Sequence, residues 1–367
     1  MPRPLEPLDP TSFGYWEAHH LLQRGGFGGT PEQVLTLTEM GRDGAIDHLL
    51  DWTKVPDPFP DPAFKTDIMR PATEAERREI RMSRQSGDES VRDRLRAERQ
   101  KRQREDRQQI ARARDWWLER MIETSRPLQE KLTLFWHGHF ATGYRAIEDS
   151  WHMLQQNDMF RNNAAGDFKG ALVHGIIRDP AMIKYLNNNQ NRRGAPNENL
   201  ARELMELFTL GEGNGYTEDD IKEGARALTG FSFRDDEFTF NSRMHDNNAK
   251  TIFGRSGNWS GDDFVELIFT RPTAATWICW KLYRFFVDDA EELTPQSKAV
   301  VDAMARTLRK KNWNLKPVLE DLFASQHFYH STRRGIMVKS PVQLVVQACR
   351  SLNLPPRNMR KLSEACE

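Results

Sequence analysis

At 367 residues, 38% of them apolar, the chain is long enough to bury a real core as one large domain or two ordinary ones. Its 53 basic and 53 acidic side chains cancel, so no overall field draws it to nucleic acid, an anionic membrane or an acidic substrate. Three cysteines (Cys279, Cys349 and Cys366) are too few and too scattered for a disulfide framework or a cysteine zinc site, and they read as small apolar residues.

The chain begins MPRPLEPLDPTSFGYW, without a basic n-region or an apolar h-region, and no apolar run approaches the ~20 residues that span a bilayer. A cytoplasmic protein with no membrane span is expected. Gly25-Gly-Phe-Gly-Gly29 lacks dinucleotide or P-loop spacing and reads as a turn that lets helices approach closely. Thr30-Pro31-Glu32-Gln33 carries a capping box with proline at the first helical position, and Val34, Leu37, Met40 and then Ile46, Leu49, Leu50 give a helical stripe broken at Gly41. Val55 to Pro62 is an extended proline-rich joint.

Thr73-Glu74-Ala75-Glu76 opens a charged stretch with 16 basic and 12 acidic side chains between Thr73 and Arg126, broken at Ser86-Gly87-Asp88. Pairs such as Glu98 with Arg102 and Arg102 with Glu105 predict an exposed helical hairpin, with little core contact from Glu79 to Gln109. Aromatic residues that could stack on bases are missing between Phe64 and Trp116, which argues against a nucleic-acid arm. A further helix is expected from Pro127 through Trp136-His137-Gly138-His139-Phe140.

Leu200, Leu204, Leu207 and Phe208 form a core stripe, and Glu198, Arg202 and Glu206 an i, i+4, i+8 charge ladder. Thr217 with Asp220 and Ser260 with Asp263 are near-variants of the capping box, while Thr294-Pro295 and Ser340-Pro341 are cap-then-proline starts. Period-2 alternation is clear from Phe231 to Phe240 about an acidic turn, predicting one hairpin. Lys281, inside an apolar helical stretch, must snorkel or meet a carboxylate. Asn358 is placed to cap a last short helix. The fold class is therefore mainly α: a multi-helix globular body with one small β-hairpin and a projecting charged arm. Expected units are an N-terminal helical unit (1–62), the arm (63–126), the main body (127–350) and the start of an incomplete C-terminal helix (351–367).

His20-Leu-Leu-Gln-Arg-Gly-Gly-Phe-Gly-Gly-Thr-Pro31, Phe135-Trp-His-Gly-His-Phe140, Gly194 to Gly211 with its Pro-Asn-Glu-Asn core, Tyr216-Thr-Glu-Asp-Asp220, Ala225-Arg-Ala-Leu-Thr-Gly230 and Lys281-Leu-Tyr-Arg-Phe-Phe286 together resemble domain-of-unknown-function family 1800, a bacterial family. The resemblance implies a shared process with an exported protein similar to alkaline phosphatases and sulfatases, encoded nearby, and export is common among relatives. Relatives typically continue into a Pro-Asn-Val-Lys-Gly-Trp segment, whereas this sequence stops at Glu367.

Chemistry could reside in three places. His137 and His139 cannot share a helix face, but unwinding at Gly138 would let both converge as metal ligands or acid/base groups. Asn197, Asn199, Arg202 and Glu203 crowd a helix start suited to an anion. His245, Asp246 and Lys250 sit in a loop after the hairpin. Convergence of His137, His139, His245 and Glu203 would create a divalent-metal or acid/base pocket, with the three histidines as ligands, and so a metal-assisted or acid/base enzyme, a hydrolase by class. Without it, the chain reads as a scaffold or adaptor for a partner protein. No Gly-x-Ser-x-Gly or His-Glu-x-x-His motif is present.

Overall fold

The computed structural model describes residues 3–57, 59–60, 62–87, 89–356 and 359–366. Pro58 and Asp61 of the proline-rich joint, Asp88 of the arm's break and the expected cap Asn358 lie outside the described residues. The fold is mainly α, with two small two-stranded antiparallel sheets among the described residues. No helix among them is long and apolar enough to cross a membrane.

Local signals set most helix starts. Thr30, Thr73, Thr217 and Ser260 each accept from the backbone of the third helical residue, whose side chain returns to the cap's own N–H. The arm and the residues around it are carried by α1 (Tyr15–Gly25), α2 (Pro31–Leu50), α3 (Glu74–Ser86), α4 (Glu89–Glu123), α5 (Pro127–His139), α6 (Tyr144–Ile147) and α7 (Ser150–Asn162). Gly41 kinks α2 with a φ of 69°, as the break in its stripe predicts. The hairpin is strands β1 (Phe231–Arg234) and β2 (Glu237–Phe240), pairing Phe231 with Phe240. A second ribbon, β3 (Lys250–Ile252) with β4 (Arg255–Gly257), is too short for its alternation to be read.

Two patterns differ from expectation. Leu207 is 47% exposed although its stripe partners Leu200, Leu204 and Phe208 are buried. Residues Leu204–Thr209 form a π-helical turn, and its wider winding carries Leu207 off the core face. In the arm, Arg102 turns to Glu76 of α3 at 3.9 Å and Glu105 to Lys65, because packing α3 and the segment after the joint against α4 offers carboxylate and ammonium partners across elements.

The arm is also better anchored than its composition suggests. Asp106 and Gln109 are buried. Asp106 accepts from the Ser150 amide (2.9 Å) and from the Tyr144 hydroxyl (2.7 Å), and Gln109 donates to the Lys65 carbonyl (2.7 Å) and the Ser150 hydroxyl (3.1 Å). Past Gln109, α4 enters the core. Arg120 shares Glu130 with Arg161, at 2.7 and 2.8 Å, and reaches Asp57 of the joint at 3.1 Å. Buried Arg350 then donates to the carbonyls of Met121, Ile122 and Thr124 at the end of α4, and to that of Gly28. Gly28 adopts a φ of +80°, and a side chain there would strike Ser351, so the glycine-rich turn does permit a close approach.

Replacing residues 79–98 with a short linker should lower unfolding free energy by less than about 1 kcal/mol. Asp106→Ala should cost about 2–4 kcal/mol, because it strands buried donors. Urea melts of both variants check this, and a tip deletion as damaging as Asp106→Ala would refute the division.

Candidate functional site

The helix α5 continues unbroken through Gly138 to His139. On an intact helix, positions two apart point about 200° away from each other, so His137 and His139 face different surroundings. His137 accepts from the Asn157 amide (2.9 Å) beside Trp117 and Phe160. His139 donates through Nε2 to the Phe208 carbonyl (3.0 Å) amid Phe135, Trp136 and Phe140. Burial holds each near 3, and so neutral. His245 donates through Nδ1 to the Thr229 carbonyl (2.8 Å) and packs on Phe240. Glu203 is half-buried, its carboxyl raised first by burial and then by Glu206, and it pairs with none of the three. The expected convergence of His137, His139 and His245 as a metal set is not formed: they share no partner among the described residues, and the group of three potential ligands found there lies elsewhere.

The other expected binding residues are engaged structurally. Arg202 completes its ladder with Glu198 and Glu206 and adds Glu218 at 2.8 Å. Asn197 accepts from the Asn199 amide (3.0 Å), closing a local turn. Asp246 pairs with Arg226 at 2.7 Å. The Lys250 ammonium, fully buried, donates to the carbonyls of Asp246 and Asn248. Lys281 meets ring faces, lying 4.7 Å from Trp277 and 5.6 Å from Trp280, and pairs with no carboxylate among the described residues.

A different set of charges does converge. One face of α1 presents His20, Gln23 and Arg24; α5 presents Lys131; the helix Pro272–Phe286 supplies Phe285; the segment leading into the helix Pro341–Ser351 brings Lys339, and the first turn of that helix brings Gln343. They enclose a cavity of about 80 Å³. Lys131 is buried, 4.8 Å from the Phe27 ring and 5.5 Å from that of Phe285. Among the described residues Arg24, Lys131 and Lys339 form no ion pair, and Arg24 spends one N–H on the Arg333 carbonyl (3.1 Å). His20 is buried and its Nε2 has no hydrogen-bond partner among the described residues. Phe285 also walls a wider recess of about 280 Å³ with His139, Lys281, Arg284 and Asp289.

Residues 20–367 match a family model described as protein of unknown function (DUF1800). The chain belongs to that family. No curated protein and no solved structure matches it. Within this DUF1800 member the matched region includes every residue lining the cavity.

Lys131 drew no attention in the sequence because it sits in a helix buried nearly all round, beside Glu130, where a neighbouring pair of opposite charges suggests mutual satisfaction. The signal available was the adjacency itself: neighbours on a helix point about 100° apart and cannot pair face to face. Burial, reinforced by Arg24 and Lys339, pushes the Lys131 ammonium down to about 7. Burial first, and then Arg24, pushes His20 down to about 4.

Lowering an ammonium from its unfolded value of ~10.4 makes folding increasingly unfavourable as pH falls below that value, and the penalty is complete once pH drops past the folded pKa near 7. In sulfate- and phosphate-free buffer, the stability of wild type relative to Lys131→Met should therefore rise between pH 7 and pH 9.5. At pH 7 the methionine variant should be the more stable, by on the order of 1–3 kcal/mol. Chemical melts across that range test it; a difference that stays flat with pH would mean that Lys131 has a counter-charge.

Proposed function

We propose that this chain is a binding protein for the oxyanion group of a small ligand, a sulfate or phosphate, held in the cavity among α1, α5 and the segment before the helix Pro341–Ser351. The observation that carries this reading is Lys131: a buried ammonium, joined by Arg24 and Lys339, with no carboxylate paired to any of the three among the described residues. Buried charges are ordinarily paired. Of the three only Lys131 is buried, Arg24 being half-buried and Lys339 exposed, and an unpaired buried ammonium beside a cavity large enough for a tetrahedral anion suits a counter-charge brought by a ligand. Lysine, arginine and glutamine side chains supply donors, which suits an oxyanion whose oxygens only accept.

This supports a scaffold that binds over an enzyme that turns over. Among the described residues no carboxylate lines the cavity, and the histidines expected to form a catalytic set are dispersed. The partner implied by the resemblance, a protein similar to alkaline phosphatases and sulfatases, fits the same chemistry, because such a protein would release the class of anion that this cavity accommodates.

Sulfate is the cleaner probe, since its charge does not change between pH 5 and pH 9. Binding of the anion favours protonated Lys131, so affinity should be greatest below about pH 7 and fall tenfold or more by about pH 8.5. Calorimetric titration of dialysed protein should show one sulfate per chain at pH 6. Lys131→Met should abolish the signal and Lys339→Ala weaken it. Failure of both sulfate and phosphate to bind wild type at pH 6 would end the proposal.

A further inference from the structure

We propose that His20 makes the cationic cavity select inorganic phosphate, which brings a hydrogen of its own, over sulfate, which brings none. This rests on the oxyanion reading and names the anion within it.

Most of the polar wall cannot tell the two anions apart. Lys131, Arg24 and Lys339 only donate, and the amides of Gln23 and Gln343 can turn either end toward a ligand. Such a wall accepts any tetrahedral oxyanion. His20 differs in kind. It lines the cavity, is only 7% exposed, and packs its ring against Phe328 with centroids 4.8 Å apart. The ring hydrogen-bonds the Phe328 carbonyl, and since Nε2 has no partner among the described residues, that bond is made at Nδ1. Phe328 does not line the cavity, so the ring turns its Nδ1 edge away and presents the Nε2 edge. Tyr329, its ring centroid 6.1 Å from that of His20, does not bring its hydroxyl within bonding reach of Nε2.

The hydrogen count of the imidazole then fixes what it can bind. Burial first, and then the Arg24 and Arg334 charges, hold the ring down to about 4, so it is neutral at pH 6. A neutral ring has one N–H, which Nδ1 spends on the Phe328 carbonyl. Nε2 therefore carries a lone pair, and the bond at Nδ1 keeps the ring from exchanging its ends as an amide does. Sulfate has only acceptor oxygens, so in this cavity it sets lone pair against lone pair or draws a proton onto the ring. At pH 6, two units above the ring's own value, that protonation costs about a hundredfold in affinity. Phosphate keeps at least one P–O–H at pH 6. It donates that hydrogen to Nε2 while its other oxygens accept from the three cations. Charge alone would rank the two anions the other way, because sulfate at pH 6 is the more highly charged.

The test uses the full chain, dialysed free of both anions and titrated at pH 6 with sodium phosphate or sodium sulfate alone at matched ionic strength. Calorimetry should give one anion per chain, with phosphate bound tenfold or more tightly than sulfate, roughly the value of one hydrogen bond to a charged group. Monofluorophosphate, in which fluorine stands where phosphate has its hydroxyl, should bind as weakly as sulfate. That comparison separates the hydrogen from the phosphorus without altering the protein, and so decides the matter even where a variant folds poorly. His20→Phe keeps a ring in the space and removes the acceptor. With the circular dichroism of wild type, it should bring phosphate and sulfate to within about threefold of each other, well under the contribution of a hydrogen bond. Binding of neither anion by wild type would overturn the oxyanion reading and this inference with it. Sulfate or monofluorophosphate binding as tightly as phosphate would overturn the role of His20 and leave the oxyanion reading standing. A preference for phosphate that survives His20→Phe would likewise overturn it, by placing the acceptor elsewhere.

Discussion

The carboxylate of Glu130, fully buried, is the constraint on which the rest of this structure depends. It takes guanidinium groups from two other helices, Arg120 of α4 and Arg161 of α7, and the indole N–H of Trp117 at 2.8 Å. Desolvating three charges is expensive, and mutual attraction offsets that cost only where the geometry is close and remaining donors are satisfied. Here they are: Arg161 also meets Asp158 at 2.8 Å, and Arg120 reaches Asp57, which accepts from Thr124 at 2.9 Å. An apolar junction could slide by a residue with little change in energy. A carboxylate shared between two fixed guanidinium groups admits one arrangement, and so sets the relative placement of α4, α5 and α7.

That junction also directs the charged arm. The last turn of α4 leaves carbonyls without helical partners, and Arg350, arriving from the far end of the sequence, takes those of Met121 and Ile122 and that of Thr124 just beyond the helix. Burial lowers this guanidinium to about 10, still charged at any physiological pH. The same contact fixes the helix Pro341–Ser351, whose approach carries Lys339, and whose first turn carries Gln343, to the cavity. The cavity is thus positioned at a distance by a guanidinium that carbonyls satisfy, while its own lysine has aromatic neighbours but no paired carboxylate among the described residues.

How far the fold and the site could be read from sequence depended on the range of each interaction. Thr30, Thr73, Thr217 and Ser260 were legible as caps because donor and acceptor lie three residues apart, and the alternation of Phe231 to Phe240 was legible because a strand's period is two. Leu207 was misplaced by a π turn, a winding that no side-chain pattern announces. Convergence of His137 and His139 required α5 to break at a glycine, but the exposed Gly138 stays helical, and the buried His139 beyond it is held by the Phe208 carbonyl. His152 was passed over for a different reason: its cap Asp149 and the turn residue Asp236 are each ordinary locally, and only tertiary docking 84 residues apart makes them a cluster.

The state of Lys131 without a ligand explains why the cavity is poised for an anion. The faces of Phe27 and Phe285 attract the ammonium, but such contacts contribute about 0.5–2 kcal/mol, less than the several kcal/mol that burying an ammonium costs. The shortfall appears as the depressed pKa, with a proton held loosely near pH 7. An internal glutamate would remove the shortfall and close the site. Gln23 and Gln343 of the lining are amides, which add donors and no charge. An incoming oxyanion meets the buried Lys131 ammonium, which has no carboxylate paired to it among the described residues, beside an Arg24 on which Asp289 and Asp288 act from a distance, and it draws Lys131 back to its protonated form as it binds. Part of its intrinsic affinity is used in that protonation, so occupancy of the cavity is coupled to pH through a residue at its wall rather than through the ligand's own titration.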